Sequence, residues 1–397
     1  MKILIITQQV IPHEGGLSTH VVDLIGGLRE GGHEVSLIHG GQAVRPLWER
    51  LGLMLASLGS RDRYSARHLA RASKVLGELA RREVGTFRPD LIHCHDVYAA
   101  SAVLRVLGTE SHPIVETVHG PALYEAAQSG LDRRPRIRDA ILRCEREAFA
   151  GADHFITVDS GQAEILRNDY GVQSARITVI FNSVDVDEVR RLAEPTSHLE
   201  PRHLYFLVPR RLYPKTGVRY AIEALARMPR KDVHLVVAGK GPLREELEDL
   251  ARSLGVAERV HFLGSVPRPQ LMPLFPRAQA VMVPSVPAAG VVEATSLAVM
   301  EAMACGTVAI ASGIGGLAEL IEDRQTGLLV PPGDAEALAR AMMSVLEDAD
   351  LRSRLVSAAT EKVQKEYSTG PWLAKIKDVY QRVLSQPRPS GNAGSGR

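Results

Sequence analysis

The chain is poor in cysteine: Cys94, Cys144 and Cys305 are the only three among 397 residues. Three thiols cannot form a disulfide framework, and they fit a reducing compartment such as the cytoplasm. Long apolar runs are also missing. No window approaches the ~18 apolar residues of a membrane span, and the first apolar stretch, Ile3 to Thr7, is far too short for a signal peptide. Charge of one sign is lacking too. The 48 basic and 46 acidic residues nearly cancel to +2, which argues against a polybasic nucleic-acid binder. There is no short-period repeat. The dinucleotide fingerprint G-x-G-x-x-G is absent; Gly239-Lys-Gly-Pro-Leu-Arg244 comes nearest, and Pro242 and Arg244 spoil it, which weighs against a nicotinamide-dependent oxidoreductase. What is present is an ordinary globular composition, 45% hydrophobic and 24% charged, on a chain long enough for two or three domains.

Short apolar runs alternate with helical stretches along nearly the whole length. Lys2 to Thr7 and Glu34 to Ile38 flank a helix that Ser18 can cap, with Val21, Val22, Ile25 and Leu28 on its apolar face and Gly31-Gly32 at its end. Further strands are expected at 91–94, 114–118, 154–158 and 177–180. The pattern restarts near 203, with strands at 204–208, 233–238, 260–263, 280–283, 308–311 and 327–330. Strands that alternate with helices imply α/β domains with doubly wound parallel sheets. The expected organisation is a first domain over 1–193, a Pro-containing linker over 194–202 and a second domain over 203–369. A C-terminal helix over 370–386 is expected to cross back to the first domain, ahead of a disordered tail over 387–397.

One segment breaks the rhythm. Between Val44 and Arg82 stand nine arginines and lysines, among them Arg45, Arg61, Arg71 and Lys74, opposed only by Glu49, Asp62 and Glu78; Leu47, Leu51, Met54, Leu55 and Leu58 recur at helical spacing. Two readings stay open: an amphipathic helix packed on its own domain, or contact of 44–82 with an anionic membrane surface or a lipid-linked substrate.

Several motifs can carry chemistry. Gly15-Gly16 follows a strand and precedes a helix, where backbone N–H groups can face a phosphate. Arg210-Arg211-Leu-Tyr-Pro-Lys215-Thr-Gly217 puts cations at the C-terminal edge of a parallel sheet, which suits a diphosphate as well as a plain solvated loop. Glu293 and Glu301 are eight apart, so they either lie near one face of one helix, or Glu293 precedes a helix whose first turn runs from Ala294 to Leu297. Asp185-Val-Asp187 has the D-x-D spacing of a divalent-cation site. His93 and His95 share one strand face and Asp96 follows; without a fourth ligand they read as strand-end or substrate-facing groups. Cys305 reads as packed in a small-residue turn.

Taken in order, these motifs resemble the family-4 retaining, nucleotide-sugar-dependent glycosyltransferases. The resemblance rests on Gly15-Gly16 with His20, Asp90 to Asp96, Thr117-Val-His119, Asn182-Ser-Val-Asp185, Arg211 to Gly217, Ala238 to Pro242, Phe262-Leu-Gly264, Pro284-Ser285 and the E-x₇-E pair Glu293/Glu301. It implies the GT-B fold, two tandem Rossmann-like domains with an interdomain cleft, and transfer of a hexose with no cofactor or metal required. Donor contacts would come from Gly16, Arg211, Lys215, Gly264, Val266, Glu293, Thr295, Ser296, Leu297 and Glu301. The catalytic set would be His119, Arg211, Lys215 and Glu293. His20, His95 and Asp96 would lie on the acceptor side. The implied partners are a nucleotide sugar, UDP- or GDP-linked first, and an acceptor the motifs do not name; no nucleic acid is expected. Where the family has Lys before the glycine of the cationic loop, this chain has Thr216, and Lys215 is expected to serve instead. A sugar-nucleotide epimerase or hydrolase, and a non-catalytic sugar-nucleotide binder, share the fold.

Overall fold

The structure is a computed structural model that describes residues 1–12, 16–43, 60–128, 130–194, 203–288 and 292–386. The chain divides into two compact units, Met1–Phe181 with Leu373–Arg397, and Asn182–Trp372. All twelve expected strands form, with ends within two residues of the sequence reading.

The first unit carries β1 (Lys2–Thr7), β2 (Glu34–His39), β3 (Leu91–Cys94), β4 (Ile114–Val118), β5 (His154–Thr157) and β6 (Ile177–Val179). They form one sheet in the order β2-β1-β3-β4-β5-β6, and every pairing is parallel. The central strands are apolar on both faces because helices cover both sides; Ile3 to Ile6 are fully buried. Helix α1 (Gly16–Glu30) buries Val21, Leu24, Ile25 and Leu28 at the i, i+3, i+4, i+7 spacing. Two expectations are corrected here. Ser18 lies within the first turn of α1 rather than capping it, and Val22 is exposed because it falls outside that stripe. Gly32, at φ 77°, ends the helix while the His33 N–H reaches back to Leu28 O at 3.0 Å.

The part of the basic segment that the structure describes is the start of α2 (Arg61–Phe87), capped by Ser60, whose hydroxyl accepts from Arg63 N. It packs through Leu69, Ser73, Leu76, Gly77 and Ala80. Gly77 allows close approach: a Cβ there would lie 2.9 Å from Ala102 O on α3 (Val97–Leu107). Residues 44–59, with the leucines at helical spacing, lie outside the described residues, as do Gly15, the linker from 195 to 202 and the tail from 387. Among the described residues no helix is long and apolar enough to cross a membrane.

The second unit repeats the architecture with β7 (Leu204–Val208), β8 (Val233–Ala238), β9 (Val260–Gly264), β10 (Val281–Val283), β11 (Ala309–Ser312) and β12 (Leu328–Val330), in the parallel order β12-β11-β10-β7-β8-β9. The order reverses between β7 and β10, as it does between β1 and β3. Crevices for ligands open at the carboxyl ends of strands at such switch points. The helices of this unit include α4 (Val186–Leu192), α5 (Val218–Arg227), α6 (Leu297–Ala304) and α7 (Gly315–Leu320); in the last helix, α8 (Thr369–Ser385), the residues from Leu373 onward belong to the first unit. Asp185 is the N-cap of α4, its side chain accepting from Glu188 N at 2.8 Å, and Asp187 lies in the first turn of that helix.

Candidate functional site

In the second unit, β7 and β10 end side by side, and the loops that follow them meet backbone to backbone. A Cβ at Gly239 would stand 1.9 Å from Arg210 O, and one at Gly241 would stand 2.3 Å from Leu212 O. A Cβ at Gly217, where φ is 65°, would stand 1.8 Å from Pro284 O. No side chain fits at these three positions, so the glycines clamp the cationic loop between its neighbours. Thr216 is buried, its hydroxyl 2.7 Å from Arg211 O and 2.8 Å from Tyr213 O. In place of the family's lysine it staples the loop from inside.

The clamp fixes Arg210, not Arg211, over Glu293. Arg210 Nη2 lies 2.7 Å from Glu293 Oε2 and donates to Ser285 Oγ at 3.2 Å, while Ser285 Oγ donates to the same carboxylate oxygen at 3.3 Å. Both charged side chains are 12% exposed. Burial works against a charged Glu293, yet the facing Arg210, the nearby Lys215 and the hydrogen bonds outweigh it and hold the carboxyl below its ordinary value. Arg211 is exposed and Lys215 half-buried. Adjacent arginines look alike in sequence, and only the direction of the chain leaving β7 separates their roles.

Glu293 stands four residues ahead of α6, so the two glutamates do not share a helix. Of the two expectations, the one that puts Glu293 before the helix is right, but helix α6 starts later, at Leu297. Ser296, extended at φ −95° and ψ 118°, is its N-cap, and its carbonyl accepts from Val299 N and Met300 N at 3.1 and 3.3 Å. The Ser296 hydroxyl is buried and has no hydrogen-bond partner among the described residues. Thr295 Oγ1 accepts from Asn182 Nδ2 at 3.1 Å. The approach to α6 is held by α7: Gly316 N donates to Glu293 O at 3.0 Å, and a Cβ at Gly315 would stand 2.3 Å from that oxygen. The sequence reading did not single out Gly315-Gly316, although adjacent glycines opening a helix were the available signal.

Glu301, on α6, lies 3.2 Å from Arg268 Nε, and Arg268 Nη1 lies 2.6 Å from Glu188. Burial raises the Glu301 carboxyl above its ordinary value against the pull of Arg268. Gly264 ends β9 at φ 71° with open space where a Cβ would point, and Val266 is half-buried two residues before Arg268. The segment expected to flank a base is therefore tied to Glu301 through Arg268, a residue the sequence reading missed.

In the first unit, four histidines gather on one face of the sheet. His93 is hydrogen-bonded through Nδ1 to Tyr380 on α8 at 2.7 Å and through Nε2 to Thr117 at 2.8 Å. Burial, with His20 nearby, pushes it down to about 3. His95 Nδ1 is 3.4 Å from His119 Nε2, and the His20 ring sits edge-on to both. Burial and the neighbouring imidazoles push His95 and His119 well below their ordinary value. Cys94 faces the other side of the sheet, fully buried. Asp96 caps α3 by accepting from Ala99 N at 2.8 Å, and it also accepts from Thr7 Oγ1 at 2.7 Å and Gln8 N at 2.6 Å. Gly16 opens α1 and is exposed.

The chain as a whole is similar to known proteins. A family model described as "Glycosyl transferases group 1" matches residues 192–362, and one described as "Glycosyltransferase Family 4" matches residues 14–188. Glycogen synthase of Mycobacterium tuberculosis is 30% identical over 316 residues, which cover 78% of this chain and 74% of that protein. Among solved structures, sucrose-phosphate synthase from Thermosynechococcus elongatus superposes with a TM-score of 0.75 at 20% identity, covering 97% of this chain and 99% of that one. The Anabaena protein HepE, solved with UDP-glucose, gives 0.66 at 20% identity over 96% and 100%. At these identities the two structures establish the fold, which is GT-B.

Proposed function

The chain belongs to glycosyltransferase family 4, and on that premise we propose that it moves a hexose from a nucleotide-diphosphate sugar to an acceptor hydroxyl, with retention at the anomeric carbon and without a metal. The observation that carries the reading is the Arg210–Glu293–Ser285 cluster at the switch point of the second sheet, beside Lys215 and ahead of the N-terminus of α6. Cations at that edge and the backbone amides at the start of α6 suit a diphosphate. A carboxylate kept ionised suits a sugar hydroxyl, which donates to it. The complex of HepE with UDP-glucose supports a nucleotide-sugar donor.

In the reaction the bond from the anomeric carbon to the diphosphate oxygen breaks, and a bond to the acceptor oxygen forms on the same face. The acceptor proton passes to the departing diphosphate. Arg211 and Lys215 offset the charge that grows on the leaving group, helped by the backbone amides of Thr295, Ser296 and Leu297. Glu293 orients the transferred sugar and Glu301 takes the ribose hydroxyls, exchanging its bond to Arg268 for them. Gly264 and Val266 flank the base, Gly16 faces the donor phosphate, and His119 contacts a sugar hydroxyl. His20, His95 and Asp96 serve the acceptor side.

The test is a thermal-shift screen against UDP-, GDP-, ADP- and TDP-sugars, followed by turnover with the best donor. Release of nucleoside diphosphate that depends on an added acceptor is expected. Conversion of the donor alone points to an epimerase or hydrolase, and stabilisation with no release points to a binding protein; either result overturns the proposal.

A further inference from the structure

The histidines of the first unit do more than line a pocket wall. Each of His20, His95 and His119 offers one ring nitrogen, and these three atoms lie within 4.8 Å of one another. Among the described residues this is the one group of three or more ligating side chains that meets that condition. The sequence reading had weighed His93, His95 and Asp96 instead. The structure dissolves that group, because His93 uses both ring nitrogens on Tyr380 and Thr117, and the Asp96 carboxylate is taken up by Thr7, Gln8 and Ala99. His20 replaces them, brought from α1 to the ends of β3 and β4.

We propose that His20, His95 and His119 form a binding site for a borderline-soft divalent cation, Zn²⁺ above all, with a fourth position left open. Tetrahedral zinc at ~2.0–2.1 Å from each nitrogen needs nitrogens about 3.3 Å apart. The His95 Nδ1 to His119 Nε2 separation of 3.4 Å already meets this. The third nitrogen lies within 4.8 Å of the other two and closes on the ion by a movement of its ring. The rings are also held from behind. The His93 ring lies 4.2 Å from that of His95, centroid to centroid, and Gln162 Nε2 donates to His119 O at 3.0 Å. The Nε2 atom of His95 is buried with no hydrogen-bond partner among the described residues, so no protein contact on that atom fixes which nitrogen of the ring carries the proton.

The chemistry of the set selects the ion. Three imidazoles with no carboxylate suit Zn²⁺, Cu²⁺ or Ni²⁺ and not Mg²⁺, Ca²⁺ or Mn²⁺, which take oxygen ligands. Three protein ligands and one open position leave room for water or a hydroxyl. Zinc is not required for the transfer proposed above. By occupying a nitrogen of His119 it lowers turnover, a consequence that rests on the role given to that residue; the binding itself does not.

The experiment is equilibrium dialysis of the full chain against ZnCl₂ and, separately, MgCl₂, with X-ray absorption on the zinc-loaded protein. One tight Zn²⁺ per chain is expected, with three nitrogen neighbours near 2.0 Å, and no Mg²⁺ at the same site. His20→Asn and His95→Asn should each weaken zinc binding by more than the ~10–100-fold that loss of an outer-shell partner costs, with circular dichroism reporting the fold. His234→Asn, in the separate stack His203–His234–His261, should leave the tight site intact. Absence of tight zinc binding, a first shell without three nitrogens, or equal binding by the wild type and both folded variants overturns the proposal. Should one variant unfold, the other and the wild-type spectrum decide it. If zinc binds as expected and turnover is unaffected, the site stands and the assignment of His119 to the sugar falls.

Discussion

Replacing Arg210 with alanine should expose the energetics of the donor cluster directly. In the intact pair Glu293 is 12% exposed, and the substitution leaves it without its closest cation and still within reach of the Ser285 hydroxyl. Breaking a buried ion pair from one side costs ~3–5 kcal/mol, because the remaining charge has lost its compensation. Lys215 still acts on Glu293, which puts the expected loss at the lower end, about 3 kcal/mol. For a domain of roughly 150–250 residues each kcal/mol lowers Tm by about 2–4 °C, so a fall of at least ~6 °C is expected. The double variant Arg210→Ala/Glu293→Ala removes the stranded charge and should recover most of that loss, giving a coupling energy above ~1.5 kcal/mol.

Acid supplies a second check on the same pair. An unfolded glutamate titrates near 4.5, and the native Glu293 carboxyl lies below that. Between the two values the unfolded chain binds more protons, so stability rises with pH there. The contribution of the pair is complete above about pH 4.5 and disappears as pH falls through the depressed native value. In Arg210→Ala the penalty should therefore shrink on acidification, because a protonated carboxyl needs no cation. Thermal melts of the four proteins of the cycle across that range measure both effects. A single-variant loss below ~1 kcal/mol, or one independent of pH, refutes the reasoning, since surface pairs behave that way.

Other outcomes follow from the same geometry. Arg211→Ala and Lys215→Ala should each lower turnover by about 100-fold or more with unchanged circular dichroism, if they offset leaving-group charge. Glu301→Ala should weaken binding of the nucleoside diphosphate by roughly 10-fold or more in calorimetry. Gly217→Ala should destabilise the second unit, because its Cβ meets Pro284 O at 1.8 Å and the backbone there holds φ at 65°; an unchanged Tm would mean the loop relaxes freely. Turnover should survive EDTA, and loss that Mn²⁺ restores would reinstate Asp185 and Asp187 as metal ligands.

Much of this was legible in the sequence because strands buried on both faces must be short apolar runs. Twelve such runs, separated by helical stretches, specify two doubly wound sheets. The glycines of the site were visible as motif members, but their reason is steric and appears only when Arg210, Leu212 and Pro284 are seen against them. The choice between Arg210 and Arg211 was not legible, because it depends on the direction of the chain beyond β7. Spacing alone left open whether Glu293 belonged to the helix; the decisive feature is the extended backbone of Ser296. The histidine group was half legible. Alternation along β3 puts His93 and His95 on one face, whereas His20 reaches them only because α1 follows the strand next to β3.

Same-face transfer from a nucleotide sugar is the central step of the proposed function. It is tested most directly by NMR of the product formed from the best donor and a competent acceptor, with nucleoside diphosphate followed in the same sample. The expected result is one equivalent of nucleoside diphosphate per glycoside, the glycoside keeping the anomeric configuration of the donor. A product of inverted configuration, or nucleoside diphosphate released at the same rate with no acceptor present, would contradict it.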